Sequence, residues 1–116
     1  MADYIFDTQT GEWTPHPRIR GVFIRPLITP SDNPGLTISR IRLLPGAEIT
    51  PHRHPLSTET FIILSGIALC RVGETQMEMC PGQMGYAPPG MEHGVCNPGT
   101  EPVEALSIFN PPLTSQ

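Results

Sequence analysis

Residues 46–66 read GAEITPHRHPLSTETFIILSG, and the paired histidines inside this stretch decide the fold. His52 and His54 stand two apart, so on an extended strand both imidazoles leave the same face. On a helix that spacing would splay them, because neighbours at i+2 do not face each other. Glu59 opens the next apolar run. If it faces inward, Phe61 and Ile63 share its face and give the carboxylate an apolar floor. A second stretch, GQMGYAPPGMEHGVCN at 82–97, brings His93, with Val95 on the same face of a distant strand. A metal site needs donors converging from separate rigid elements, and closed β structure supplies that convergence.

Fifteen prolines and eleven glycines punctuate the chain, and no segment carries a sustained apolar stripe of helical period. Between these breakers lie short strand-like runs at 19–28, 36–44, 47–54, 59–64, 67–72, 75–80, 83–87, 92–96 and 102–109. Eight or nine short strands with regular turn signals point to an all-β sandwich or small barrel, because closure removes the exposed edges of an open sheet. The expected organisation is an N-terminal arm at 1–17, one barrel at 18–110 and a tail at 111–116. The arm is weakly patterned; it either wraps the outside, exchanges a strand with another subunit or stays disordered.

A chain of 116 residues makes one domain with a modest core, for which a bound ion or a partner subunit is a reasonable supplement. All seven basic residues are arginines, the formal charge is -4, and they form no basic stripe, which argues against nucleic acid as partner. No apolar run approaches the length of a membrane span, and the acidic, polar start is unlike a secretory signal, so a cytoplasmic protein is expected. Cys70, Cys80 and Cys96 cannot all pair within one chain and lack close thiolate spacing, so buried free thiols are expected.

Taken singly, these residues have blander readings. An isolated His-x-His also occurs on solvated strand faces, a lone glutamate is usually a surface group, and His16 reads as structural or idle. Joint placement raises the metal reading, because similar turn residues surround both segments. The first segment, Gly46, His52, His54, Glu59 and Gly66 with their spacing, resembles the first motif of the cupin superfamily. The second, Gly82, Pro88, Gly90, His93 and Asn97, resembles the second cupin motif, and every motif position is filled. The resemblance implies a small single-domain cupin, a jelly-roll barrel, with His52, His54, Glu59 and His93 as ligands to one divalent transition metal. Iron, manganese or nickel are favoured, with zinc as an alternative. It also implies a homodimer, for which the apolar strand at 21–28 offers an edge.

Alternation supplies the remaining expectations. Arg40 and Arg42 share a face with Leu36, Ile38 and Leu44; turned inward, their guanidiniums would clamp an anionic small-molecule substrate. Tyr86, sharing a face with Met84, would reach an oxygen ligand of the ion, and Met84 and Phe61 would touch substrate. Phe23, Ile108 and Phe109 are candidates for outer or interface packing. Glu92 should point away from the ion, the motif glycines should set turns, and Asn97 should cap one. Since one scaffold hosts many activities, the motifs leave three functions open. An oxygenase-like enzyme leads, with Glu59 and Tyr86 as its catalytic groups. A sugar or uronate isomerase, epimerase or lyase with Glu59 as proton relay follows, then a ligand-binding or sensor domain.

Overall fold

The computed structural model describes residues 4–113; residues 1–3 of the expected arm and 114–116 of the expected tail lie outside the described residues. Ten strands follow in order: β1 (Thr14–Pro15), β2 (Val22–Ile28), β3 (Thr37–Leu43), β4 (Glu48–His52) and β5 (Thr58–Ser65). After these come β6 (Ala68–Val72), β7 (Thr75–Met79), β8 (Met84–Ala87), β9 (His93–Cys96) and β10 (Val103–Asn110). Nine of them match the sequence-derived runs to within a few residues. The tenth, β1, is two residues long and belongs to the arm, where it pairs with Phe23 and Ile24 of β2.

The strands form two antiparallel sheets, one ordered β1-β2-β3-β10-β5-β8 and the other β4-β9-β6-β7. Alternation then sorts the side chains. Val22, Ile41, Leu43, Phe61, Ile63, Val95, Val103 and Ala105 turn inward from both sheets and line a central cavity of about 480 Å³. Val22, Leu43, Ile63 and Val103 are almost fully buried and pack with Ala47, Ala68, Cys70 and Met79 into one apolar core that forms part of the cavity wall.

The turns that deliver the strands depend on glycine. Gly66 ends β5 with φ of 77°, and a Cβ there would collide with the Pro102 carbonyl oxygen and press on Val103. Only glycine meets both demands at no steric cost. Asn97 ties the two sheets: its amide donates to Leu43 O at 3.1 Å and Glu101 O at 2.7 Å, and its Oδ1 accepts from Gly99 N at 3.0 Å. It thus caps a turn, as its position implies, while also anchoring buried carbonyls.

The arm covers part of the outer face of the larger sheet. The Trp13 ring lies 4.2 Å from the Arg25 guanidinium, which donates to Thr8 O at 3.0 Å. The three cysteines are free, as expected, but only Cys70 is buried; Cys80 is exposed and Cys96 lies between. Burial, then the neighbouring Cys96, raises the Cys70 thiol to about 11, which leaves it protonated and unreactive at neutral pH. Gly66→Ala should destabilise the fold by about 2 kcal/mol or more, lowering the melting temperature by roughly 8 °C in a thermal scan.

Candidate metal centre

Four side chains meet where the two sheets face each other. His52 and His93 are directly opposed across the β4–β9 pair, with ring centroids 4.4 Å apart. That pairing depends on a bulge. Ile49 pairs with Val95 and His52 with His93, so β4 spends three steps where β9 spends two. One extra residue, in a segment containing Pro51, moves the inward position from Ile49 to His52. His54 lies two residues past the end of β4, yet still lines the cavity, 4.8 Å from the His52 ring and edge-on to Phe109. Glu59 comes from β5 of the opposite sheet, on the same inner face as Phe61 and Ile63, as alternation predicts.

One donor atom from each of His52, His54, Glu59 and His93 falls within 4.8 Å of all the others. Donors on opposite sides of an ion, each bonded at about 2.1 Å, lie about 4.2 Å apart, so modest contraction would seat a transition metal. Backbone carbonyls fix two of the rings. His52 Nδ1 lies 2.8 Å from Thr50 O, and His93 Nδ1 lies 3.0 Å from Met91 O. A carbonyl only accepts, so each Nδ1 carries the proton and each Nε2 is the nitrogen turned to the cluster. His54 Nε2 is buried without a hydrogen-bond partner, and its 3.7 Å approach to Glu59 Oε1 is too long for one. An orphaned imidazole nitrogen beside a carboxylate has an unmet demand that a bound cation would satisfy. The residues therefore fit a divalent ion.

Glu59 is the electrostatic hub. Its Oε1 lies 2.8 Å from His93 Nε2, and its Oε2 accepts from Ser107 Oγ at 2.9 Å. Burial would raise this carboxyl, but the imidazoles of His54 and His93 and the Ser107 hydroxyl outweigh it and hold the group at about 2. Burial likewise lowers His93, yet Glu59 and the Met91 carbonyl prevail and raise it. For His52, burial wins and the pKa falls, with the neighbouring His93 and His54 adding to the effect.

Several sequence-derived placements are corrected. Arg40 and Arg42 do not line the cavity, because Ile41 and Leu43 take the inner face of β3. Their partner is Glu104 on β10, 2.7 Å from Arg40 Nε and 3.5 Å from Arg42 Nε. Met84 and Tyr86 are 61% and 63% exposed on the outer face of β8. Between them Gly85 turns inward, where a Cβ would come within 2.5 Å of the Phe61 ring. Tyr86 thus reaches no ligand of an ion in this cavity. Phe109 is the reverse case, lining the cavity and not the exterior. Glu92 does point away, pairing with Arg71 at 3.0 Å and Arg53 at 3.7 Å. Sequence reasoning missed Ser107, whose polar side chain on an inward position of an apolar strand was the available signal. It also missed His16, Arg18 and Leu113, all of which line the cavity.

The model of the Cupin_2 family, the cupin domain, matches residues 39–109, more than half of the chain. This chain belongs to the cupin family. The cupin is similar to a mannose-1-phosphate guanylyltransferase of Klebsiella pneumoniae, with 32% identity over 75 residues. The match covers 65% of this chain and only 16% of that enzyme. It is also 27% identical over 95 residues to the tetracenomycin polyketide synthase protein TcmJ of Streptomyces glaucescens, covering 79% of this chain and 63% of that protein. Among solved structures, TT1209 from Thermus thermophilus superposes with a TM-score of 0.80 at 26% identity, covering 94% of this chain and 98% of that one. Among the described residues no helix is long and apolar enough to cross a membrane.

His54→Ala should abolish uptake of one ion per chain in elemental analysis after dialysis; undiminished occupancy would refute its role as ligand. In the metal-free protein, the lowered Glu59 pKa adds stability above its ordinary value of 4.5, and that contribution is lost as pH falls toward 2. The raised His93 pKa adds stability below 6.5, lost as pH rises through the folded value. Urea unfolding of chelator-treated protein should thus show the pair contributing most between these limits, with Glu59→Gln flattening both flanks.

Proposed function

We propose that this cupin is a metal-dependent enzyme with oxygenase-like chemistry, acting on a small, largely apolar organic substrate that presents oxygen donors to the ion. The observation that carries this reading is the setting of the donor cluster. His52, His54, Glu59 and His93 face a cavity whose other walls are mainly Ile, Val, Leu and Phe side chains. A volume of about 480 Å³ suits a ligand of one or two fused rings or a medium-length chain. A sugar or uronate would leave most hydroxyls facing aliphatic wall, with a desolvation cost that counts against the sugar isomerase reading. When bound, a redox-capable ion such as iron, manganese or nickel would act as a Lewis acid and give access to dioxygen chemistry.

The chain's own groups have definable tasks. Ser107 occupies Glu59 Oε2, which leaves Oε1 as the atom facing the imidazoles. Glu59, ionised at neutral pH, is also placed to take up a proton at that oxygen, the property that a non-oxidative reaction would use. Phe61, Ile63 and Phe109 line the same space with apolar surface, and a polar contact is stronger beside such surface than in water.

A second reading keeps the ion but needs no oxygen: isomerisation, cyclisation or dehydration with Glu59 as proton relay. The likeness to TcmJ, by name a polyketide synthase protein, favours it for an enolic, mostly apolar substrate. The test is turnover of enolic and phenolic compounds by iron-, manganese- and nickel-loaded protein, with and without oxygen. The first reading expects product only with a redox-active ion and a stoichiometric fall in dissolved oxygen. Product formed equally under nitrogen, or with zinc, would replace it with the second. Arg42→Ala should leave ion content and turnover within about twofold of wild type, since its partner Glu104 and its outer position keep it from the cavity.

A further inference from the structure

The cavity wall carries a second polar cluster, outside both cupin motifs. His16 and Arg18 sit in the turn between β1 and β2 and line the same cavity as the four donors. His16 Nδ1 accepts the backbone N–H of Arg18 and that of Ile19, each at 3.1 Å. A backbone N–H only donates, so Nδ1 carries the lone pair and Nε2 carries the proton. Burial, then the charge of Arg18, lowers the His16 pKa and keeps the ring in this neutral form near pH 7. His16 therefore offers an Nε2–H donor that no protein acceptor takes up among the described residues.

Arg18 is in the same condition. It lines the cavity from an exposed position, where its guanidinium forms no ion pair or side-chain hydrogen bond among the described residues, whereas Arg53, the other arginine on the wall, is paired with Glu92 at 3.7 Å. Glu59 is the one carboxylate on the wall among the described residues, and His93 and Ser107 already engage it. This part of the cavity thus holds donors and positive charge without a carboxylate of its own, next to aliphatic surface formed by Ile19, Val22 and Ile24.

The geometry points to an anion-recognition subsite in which His16 Nε2–H and the Arg18 guanidinium receive the carboxylate of an amphipathic organic acid whose apolar body fills the cavity. The fork of a guanidinium matches the two oxygens of a carboxylate, and the turn that His16 caps fixes the backbone from which Arg18 reaches. Neutral sugars lack the charge, and amines would be repelled. This subsite rests on the reading of the cavity as the substrate site, and it narrows the substrate to acids.

The test uses the full chain in the presence of zinc, with bound zinc measured in parallel. Two fluorescent probes share an apolar body: 1-anilinonaphthalene-8-sulfonate, whose sulfonate stands in for a carboxylate, and the neutral N-phenyl-1-naphthylamine. Wild type should prefer the anionic probe. Arg18→Gln should weaken the anionic probe about tenfold, leave the neutral one within twofold and leave bound zinc unchanged, with Arg18→Lys intermediate. Unchanged affinity for the anionic probe in Arg18→Gln would overturn the subsite, and so would equal loss of both probes, which marks a structural role. A protein that discriminates the probes yet takes up no zinc would sink the metal reading and leave the subsite standing.

Discussion

The 2.8 Å contact between His93 Nε2 and Glu59 Oε1 crosses from the four-stranded sheet to the six-stranded one. Two layers that otherwise meet through apolar side chains and the Asn97 amide are joined at that point by an imidazole–carboxylate hydrogen bond. Such a pair costs desolvation on both sides, and within a hydrophobic interior it is weak evidence for stability alone. Its value lies in placement. With Ser107 on the other carboxylate oxygen and Met91 O on the far side of the imidazole, neither ring nor carboxylate is free to turn away. An ion arriving between the sheets would find its donors already aimed, and would release the proton that now sits between them.

The bulge in β4 serves the same end by different means. Strict alternation from Ile49 would send His52 to the outside, and the single extra residue before it reverses that outcome. The sequence carries the cause in Pro51, which cannot donate to a ladder and is tolerated where pairing is interrupted. His54, beyond the strand, is held differently: its carbonyl accepts from Gly90 N at 2.9 Å, so the loop that leads to His93 also positions the backbone of His54. The two motif segments are therefore mutually supporting, and neither could place its histidines alone.

How far the fold could be read in advance follows from which contacts are local. Strand limits were legible because proline and glycine mark them, and the inner face of β5 was legible because Phe61 and Ile63 follow Glu59 at two-residue steps once its carboxylate is taken as a ligand. The inner face of β3 was not. Both faces of TISRIRL carry aliphatic residues, and only Glu104, 64 positions beyond Arg40 and opposite Arg42 on β10, decides that the arginines turn outward. Tyr86 misled for a related reason: an aromatic residue near a ligand strand invites a role, whereas Gly85 is what leaves room for Phe61 on the inside. His16 and Arg18 gave no local signal, since what brings them to the cavity is the long-range return of the arm along β2.

The cavity has a thermodynamic consequence. Beyond the packed core, Ile41, Phe61 and Val95 are only half-buried along the cavity wall, and the domain forgoes dispersion contacts that a chain of this size can ill spare. A guest of matching shape would restore those contacts, so occupancy and unfolding become linked equilibria. The molecule for which this interior evolved should announce itself by the height to which it lifts the melting curve, even where no reaction follows.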